Sequence, residues 1–145
     1  LSSTATAKSE PATTQQESTM TQQAEEFFRA AISDPEHPLV LFAVGWCEFC
    51  WAVRKLFNAM EVPYRAIDLD AEEFEEHDHG EKVRAILTAH TGSPTIPQVF
   101  IAGKFIGGAT DTIDAYRKGT LQAELKRAGV EFKDVPGLDP YHFRL

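Results

Sequence analysis

Apolar and polar positions along this chain follow two different periods, and the changes of period divide it. In TQQAEEFFRAAIS (21–33), Ala24, Phe27, Phe28, Ala31 and Ile32 fall on one stripe with polar residues opposite. That pattern predicts an amphipathic helix capped at Thr19 or Thr21, broken by Asp34-Pro35-Glu36-His37-Pro38. LVLFAV (39–44) is apolar without interruption, the mark of a central strand covered on both faces. From Cys47 the spacing turns helical again through Cys50, Val53, Arg54, Phe57 and Met60, and Val62-Pro63 ends it. YRAIDL (64–69) predicts a second strand. Residues 71–91 predict a helix with Phe74, Val83, Ile86 and Leu87 inward and an acidic outer face, interrupted if anywhere at Gly80. QVFIA and KFIGG, joined at Ala102-Gly103, predict a tight antiparallel hairpin. Two helical segments follow near 110–118 and 120–128, with Gly129 closing the second. A βαβ unit with a hairpin added makes an α/β fold: a four-stranded mixed sheet flanked by helices.

The ends of the chain differ from this middle. Residues 1–19 are rich in Ser, Thr, Ala and Gln and offer almost no large apolar group, so disorder is expected there. The domain itself is expected over 20–129, and VEFKDVPGLDPYHFRL (130–145) forms a C-terminal extension. At 145 residues the chain is long enough for one core without cross-links. The formal charge of −8 disfavours a polyphosphate, so nucleic acid is not expected as a partner. No apolar run reaches the roughly 18–20 residues that span a bilayer, so no membrane partner is expected.

Candidate chemistry concentrates in Gly45-Trp46-Cys47-Glu48-Phe49-Cys50-Trp51, which holds both cysteines of the chain. Cys47 opens a helix just after a strand, where unpaired N–H groups and the helix dipole favour a thiolate. Cys50 lies one turn further in, better buried, at bonding range of the first sulfur. Three readings compete: a redox pair, part of a metal site, and two inert buried thiols. A zinc site wants four ligands, and neither a second CxxC nor a histidine pair at finger spacing is present. His77-Asp78-His79 offers donors, but in an acidic solvated stretch. The redox reading is the strongest.

WCEFC (46–50), TIPQVFI (95–101) and FIGGATDT (105–112), in that order, resemble a dithiol glutaredoxin over about residues 24–128. That family belongs to the thioredoxin-like fold, and thioredoxins typically carry Gly-Pro between the cysteines and lack a counterpart of GGATD. The resemblance implies a glutathione-dependent oxidoreductase with Cys47 as nucleophile and Cys50 as resolving thiol. It implies glutathione as reductant and partner, and glutathionylated or disulfide-containing proteins as substrates. Phe49, Ile96, Pro97, Gly108, Thr110 and Asp111 would bind the glutathione. Pro97 would be cis, Ile96 would pair its backbone with the tripeptide, and Gly107 and Gly108 would allow close approach. The first turn at Thr110 would hold the γ-glutamyl carboxylate and Asp111 the ammonium group. Taken alone, Thr110 and Asp111 read equally well as a helix cap and a first-turn acid. A monomer in a reducing, glutathione-rich compartment is expected, the cytoplasm first and an organelle matrix or stroma second.

Two departures matter. Where many family members carry a lysine three residues before the nucleophile, this chain has Val44. A lost charge-assisted contact costs about 1.5–3 kcal/mol unless Arg84, Lys82 or a terminal segment replaces it. Glu48 stands where a proline is usual. Members without that proline include homodimers that hold a [2Fe–2S] cluster between the first cysteine of each protomer and two glutathiones. That is the alternative reading here, with Cys47 as ligand, although Glu48 adds an anion beside a negative cluster.

Overall fold

The computed structural model describes the backbone of residues 2–135 and the side chains of residues 18–135. Helix α1 spans Ser2–Ser33, strand β1 Leu39–Ala43, helix α2 Glu48–Ala59 and strand β2 Arg65–Asp68. After two short 3₁₀ turns come α3 (His79–Thr91), β3 (Gln98–Ile101), β4 (Lys104–Gly107), α4 (Ala109–Lys118) and α5 (Thr120–Arg127). The strands form one mixed sheet in the order β2-β1-β3-β4. β1 pairs parallel with β2 (Phe42 opposite Ile67) and antiparallel with β3 (Val40 opposite Phe100). β3 and β4 form the hairpin, turning at Ala102 (φ 49°) and Gly103 (φ 82°), both in the left-handed region that a tight two-residue turn requires.

The uninterrupted apolar run of β1 has its explanation in two cores, since successive side chains of a strand point to opposite faces. Leu39, Leu41 and Ala43 enter one core with Val53, Leu56 and Phe57 of α2, Ile113 of α4, and Leu121 and Leu125 of α5. Val40 and Phe42 enter the other with Ala24 and Phe28 of α1, and Val83 and Leu87 of α3. All five residues of β1 are buried, as a central strand demands.

Three expectations are corrected. Helix α1 starts at Ser2 rather than at the cap expected at Thr19 or Thr21. Helical hydrogen bonds propagate from the packed turns around Ala24, Phe28 and Ala31. The helix predicted over 71–91 is two short 3₁₀ turns, Glu72–Phe74 and Glu76–Asp78, followed by α3. The break falls at His77 (φ 56°) and Asp78 (φ 53°), not at Gly80. Packing decides it: the turns bring Phe74 edge-on to Phe27 and stack it on the His79 ring. Gly80 lies inside α3 for another reason, because a Cβ there would stand 2.1 Å from the Leu69 carbonyl oxygen.

Past Gly129 the chain turns back onto the domain. Val130 joins the first core, Lys133 N–H donates to Met60 O, and Tyr116 O–H donates to Val135 O. Residues 136–145 of the extension lie outside the described residues.

Candidate active site

The strand-to-helix junction after β1 places the cysteines. Gly45 N–H donates to both carboxylate oxygens of Asp70, at 3.0 and 3.1 Å, which ties the loop after β1 to the end of β2. Cys47 is the N-cap of α2, and its Sγ accepts from Cys50 N–H at 3.4 Å. A side chain in that position takes one of the first-turn N–H groups that the helix leaves unpaired. Cys47 is half-buried and Cys50 fully buried, both as free thiols. Burial, with the contact to Cys47 second, pushes the Cys50 thiol up to about 12. The Cys47 sulfur is therefore the one a partner reaches, and Cys50 waits behind it as a neutral thiol.

Opposite Cys47 stands the segment before β3. The Ile96–Pro97 bond is cis, and the Ile96 carbonyl oxygen lies 3.9 Å from Cys47 Sγ. A groove of about 280 Å³ runs from here, lined by Phe49, Ile96, Pro97, Gly108, Thr110 and Asp111 together with Ser93, Thr95, Phe105 and Ala109. All six residues that the sequence offers for glutathione thus lie on one groove beside Cys47. Helix α4 opens at Ala109 with Gly108 as its cap, so the unpaired N–H groups of its first turn belong to this wall. Asp111 Oδ2 accepts from Gly108 N–H at 3.2 Å, so the first-turn acid also serves its own helix. Gly107 has φ 133°, and a Cβ on it would lie 2.4 Å from Asp111 Cβ. A glycine is required there for backbone conformation and for space.

The two substitutes for the missing lysine differ. Lys82 donates to His77 O and lines a separate depression with Met20 and Glu73. Arg84 is half-buried on α3, with no ion-pair partner among the described residues. Val44 itself packs against the first core. His77 faces Glu76, and His79 lies against Phe27 and Phe74.

Two positioning residues escaped the sequence reading. Asp70 looks like one more surface acid, and only the fold brings it to Gly45. Gln98 is 1% exposed, and its Nε2 donates to Ser93 O (2.7 Å) and Thr95 O (3.1 Å), holding the loop that carries Ile96. A glutamine opening an otherwise apolar strand was the available signal.

The glutaredoxin family profile matches residues 39–106. Glutaredoxin-C6 of Oryza sativa subsp. japonica is 38% identical over 92 residues, 63% of this chain and 78% of that protein. The chloroplastic Glutaredoxin-C5 of Arabidopsis thaliana is 35% identical over 104 residues, 72% of this chain but only 56% of that one, so the chain spans little more than half of it. Among solved structures, a buckwheat glutaredoxin in complex with glutathione superposes with a TM-score of 0.69 at 32% identity, covering 77% of this chain and 96% of that one. The mixed sheet flanked by helices is therefore the thioredoxin-like fold. With its paired cysteines at the first turn of α2, the chain belongs to the glutaredoxin family.

Proposed function

We propose that this protein is a glutathione-dependent thiol–disulfide oxidoreductase that uses Cys47 as nucleophile and Cys50 as resolving thiol. The observation that carries the reading is the half-buried Cys47, whose Sγ lies 3.9 Å from the carbonyl oxygen of Ile96, a residue that lines the groove with Phe49 and the first turn of α4. Cys47 thiolate attacks the glutathione sulfur of a protein–glutathione mixed disulfide. The Cys47–glutathione disulfide forms, the S–S bond between glutathione and the protein's cysteine breaks, and the protein leaves as a thiolate that takes a proton from water. A second glutathione thiolate then attacks the glutathione sulfur held on Cys47, releasing glutathione disulfide and restoring Cys47. Both steps are exchange reactions governed by access and thiolate fraction. With a protein disulfide, Cys47 forms the mixed disulfide and Cys50 closes on it, leaving Cys47–Cys50 oxidised.

In this reading the tripeptide lies along the groove. Ile96 pairs with it through the backbone, Pro97 and Phe49 pack on it, and Gly108 lets it come close. The first turn at Thr110 meets its γ-glutamyl carboxylate and Asp111 its ammonium group. The working form is a monomer in the cytoplasm or an organelle matrix, and no described helix is long and apolar enough to cross a membrane.

The alternative is a [2Fe–2S] cluster bridging two copies. Cys47 is the accessible thiol of each chain, so such a cluster needs two chains and two outside thiols, and exposed Glu48 brings a further negative charge next to it. The donor set fits poorly, and exchange leads.

The test is glutathione-dependent reduction of a glutathionylated peptide, coupled to glutathione reductase, for wild type, Cys47→Ser and Cys50→Ser. Activity that survives Cys50→Ser and vanishes with Cys47→Ser is expected. Negligible wild-type activity, with a brown dimer after anaerobic purification, would overturn the reading in favour of the cluster.

A further inference from the structure

Around the first turn of α2 lies an aromatic and acidic surface of which the exchange reading uses only Phe49. Trp46 is 84% exposed, Phe49 55% and Trp51 46%, and these are the large hydrophobic side chains left in water among the described residues. Scattered apolar side chains on a surface need no explanation, but three within six residues, around the reactive sulfur, do. Glu48 lies between them, exposed, and the Asp70 carboxylate is held beneath the same loop by Gly45 N–H. Asp111 adds a third carboxylate on the groove, whose lining contains neither Lys nor Arg.

Arg84 aside, which is the candidate for the glycyl carboxylate of glutathione, the nearby cations do not reverse this sign. Arg54, one turn beyond Trp51, is paired with Asp68, and Lys55 is half-buried with an interaction of its own. The remaining cations with identified contacts lie on other elements, such as Lys104 with Glu124 and Arg117 with Asp114. The whole chain carries −8, so the long-range field also draws cations. Indole faces beside a carboxylate are a site for an ammonium or guanidinium group: the ring supplies a cation–π contact and Glu48 the counter-charge. A second copy of this chain would bring Glu48 and Asp70 against the same carboxylates, so self-association is disfavoured.

We propose that the rim of Trp46, Glu48, Phe49 and Trp51 docks protein substrates that carry lysine or arginine beside their oxidised cysteine. This rests on the exchange reading above and names the substrate class for that same site. The apolar rings bury the flanking segment, and the carboxylates select its charge.

Two glutathionylated peptides that differ only in two flanking residues, lysine in one and glutamate in the other, test it. The lysine peptide should be turned over with a kcat/KM about tenfold higher at low ionic strength, a preference that shrinks as salt rises. Glu48→Gln should lower that ratio about threefold, and Trp51→Ala should weaken the lysine peptide more than the glutamate one. Docking is read separately from exchange by quenching of Trp46 and Trp51 fluorescence, using the same peptides with alanine for the modified cysteine. Preferential quenching by the lysine peptide without turnover of either would uphold the surface while removing the exchange reading. Equal quenching and equal turnover would overturn the surface and leave exchange standing. Concentration-dependent dimerisation that shields both indoles would assign the rim to a second copy and likewise overturn the proposal.

Discussion

Replacing Cys50 by serine removes a thiol that burial holds up to about 12, against an ordinary value of 9.0. At neutral pH an ordinary thiol of that kind is about 1% thiolate, whereas Cys50 is roughly 0.001% thiolate, about a thousandfold less nucleophile. A more basic thiolate is intrinsically stronger, and with a Brønsted slope near 0.45 three units return about twentyfold. The deficit wins: at the full shift, ring closure by Cys50 would be about fiftyfold slower than by an unperturbed thiol at equal proximity, and the slowing is smaller once the Cys47 contribution is gone. Once Cys47 is in a mixed disulfide its hydrogen bond and charge no longer act on Cys50, but burial, the largest cause, remains. Closure should therefore still accelerate about tenfold per pH unit from 7 to 9, the slope of a neutral thiol that must lose its proton first. The assay loads Cys47 with glutathione, starts the reaction by pH jump, quenches with acid and counts released glutathione by mass spectrometry. Steady-state turnover of a glutathionylated peptide by Cys50→Ser should stay within about twofold of wild type, because that route bypasses Cys50. A closure rate that is flat with pH would refute a protonated Cys50, and a tenfold loss of turnover in Cys50→Ser would refute the route that bypasses it. The same raised value fixes a stability trend. The folded state keeps the Cys50 proton that the unfolded chain releases above about 9, so this contribution is present below pH 9 and is lost as pH rises toward 12.

Gly80→Ala should cost more than about 3 kcal/mol in urea unfolding, because its Cβ would meet the Leu69 carbonyl at 2.1 Å and backbone must move; a change below about 1 kcal/mol would contradict that contact. Thr112→Val should be neutral or stabilise by up to about 1 kcal/mol, since Thr112 is fully buried and its hydroxyl has no hydrogen-bond partner among the described residues. A loss of stability on thermal melting would reveal a partner for that hydroxyl. Arg84→Ala should raise the KM for glutathione about tenfold with kcat little changed, if its guanidinium replaces the lysine absent at Val44. An unchanged KM would remove Arg84 from the binding of the glycyl carboxylate.

Elements with a strong period are legible in the chain alone. The unbroken run of β1, the helical spacing from Cys47 to Met60 and the Ala102-Gly103 turn each state a local geometry, because helix and strand periods are set by the chain's own repeat. It also placed Cys47 at a helix start with Cys50 behind it. The three motifs that resemble glutaredoxins supplied the groove residues, which local patterns would not have joined. Contacts between distant segments come from the folded arrangement instead. Ile96 O reaches Cys47 Sγ across 49 positions of sequence, Asp70 anchors Gly45 across 25, and Gln98 pins the loop beneath the groove. Such contacts depend on how sheet register and helix packing set segments side by side, and residue spacing carries no record of that. The same holds for Gly80, whose backbone angles are ordinary and whose need for a missing Cβ comes from the carbonyl of another segment. It holds again for the broken stretch before α3, where docking of Phe74 against Phe27 and His79 outweighed helix propagation. Even the Cys50 thiol takes its high value first from the core around it, with the contact to Cys47 only second.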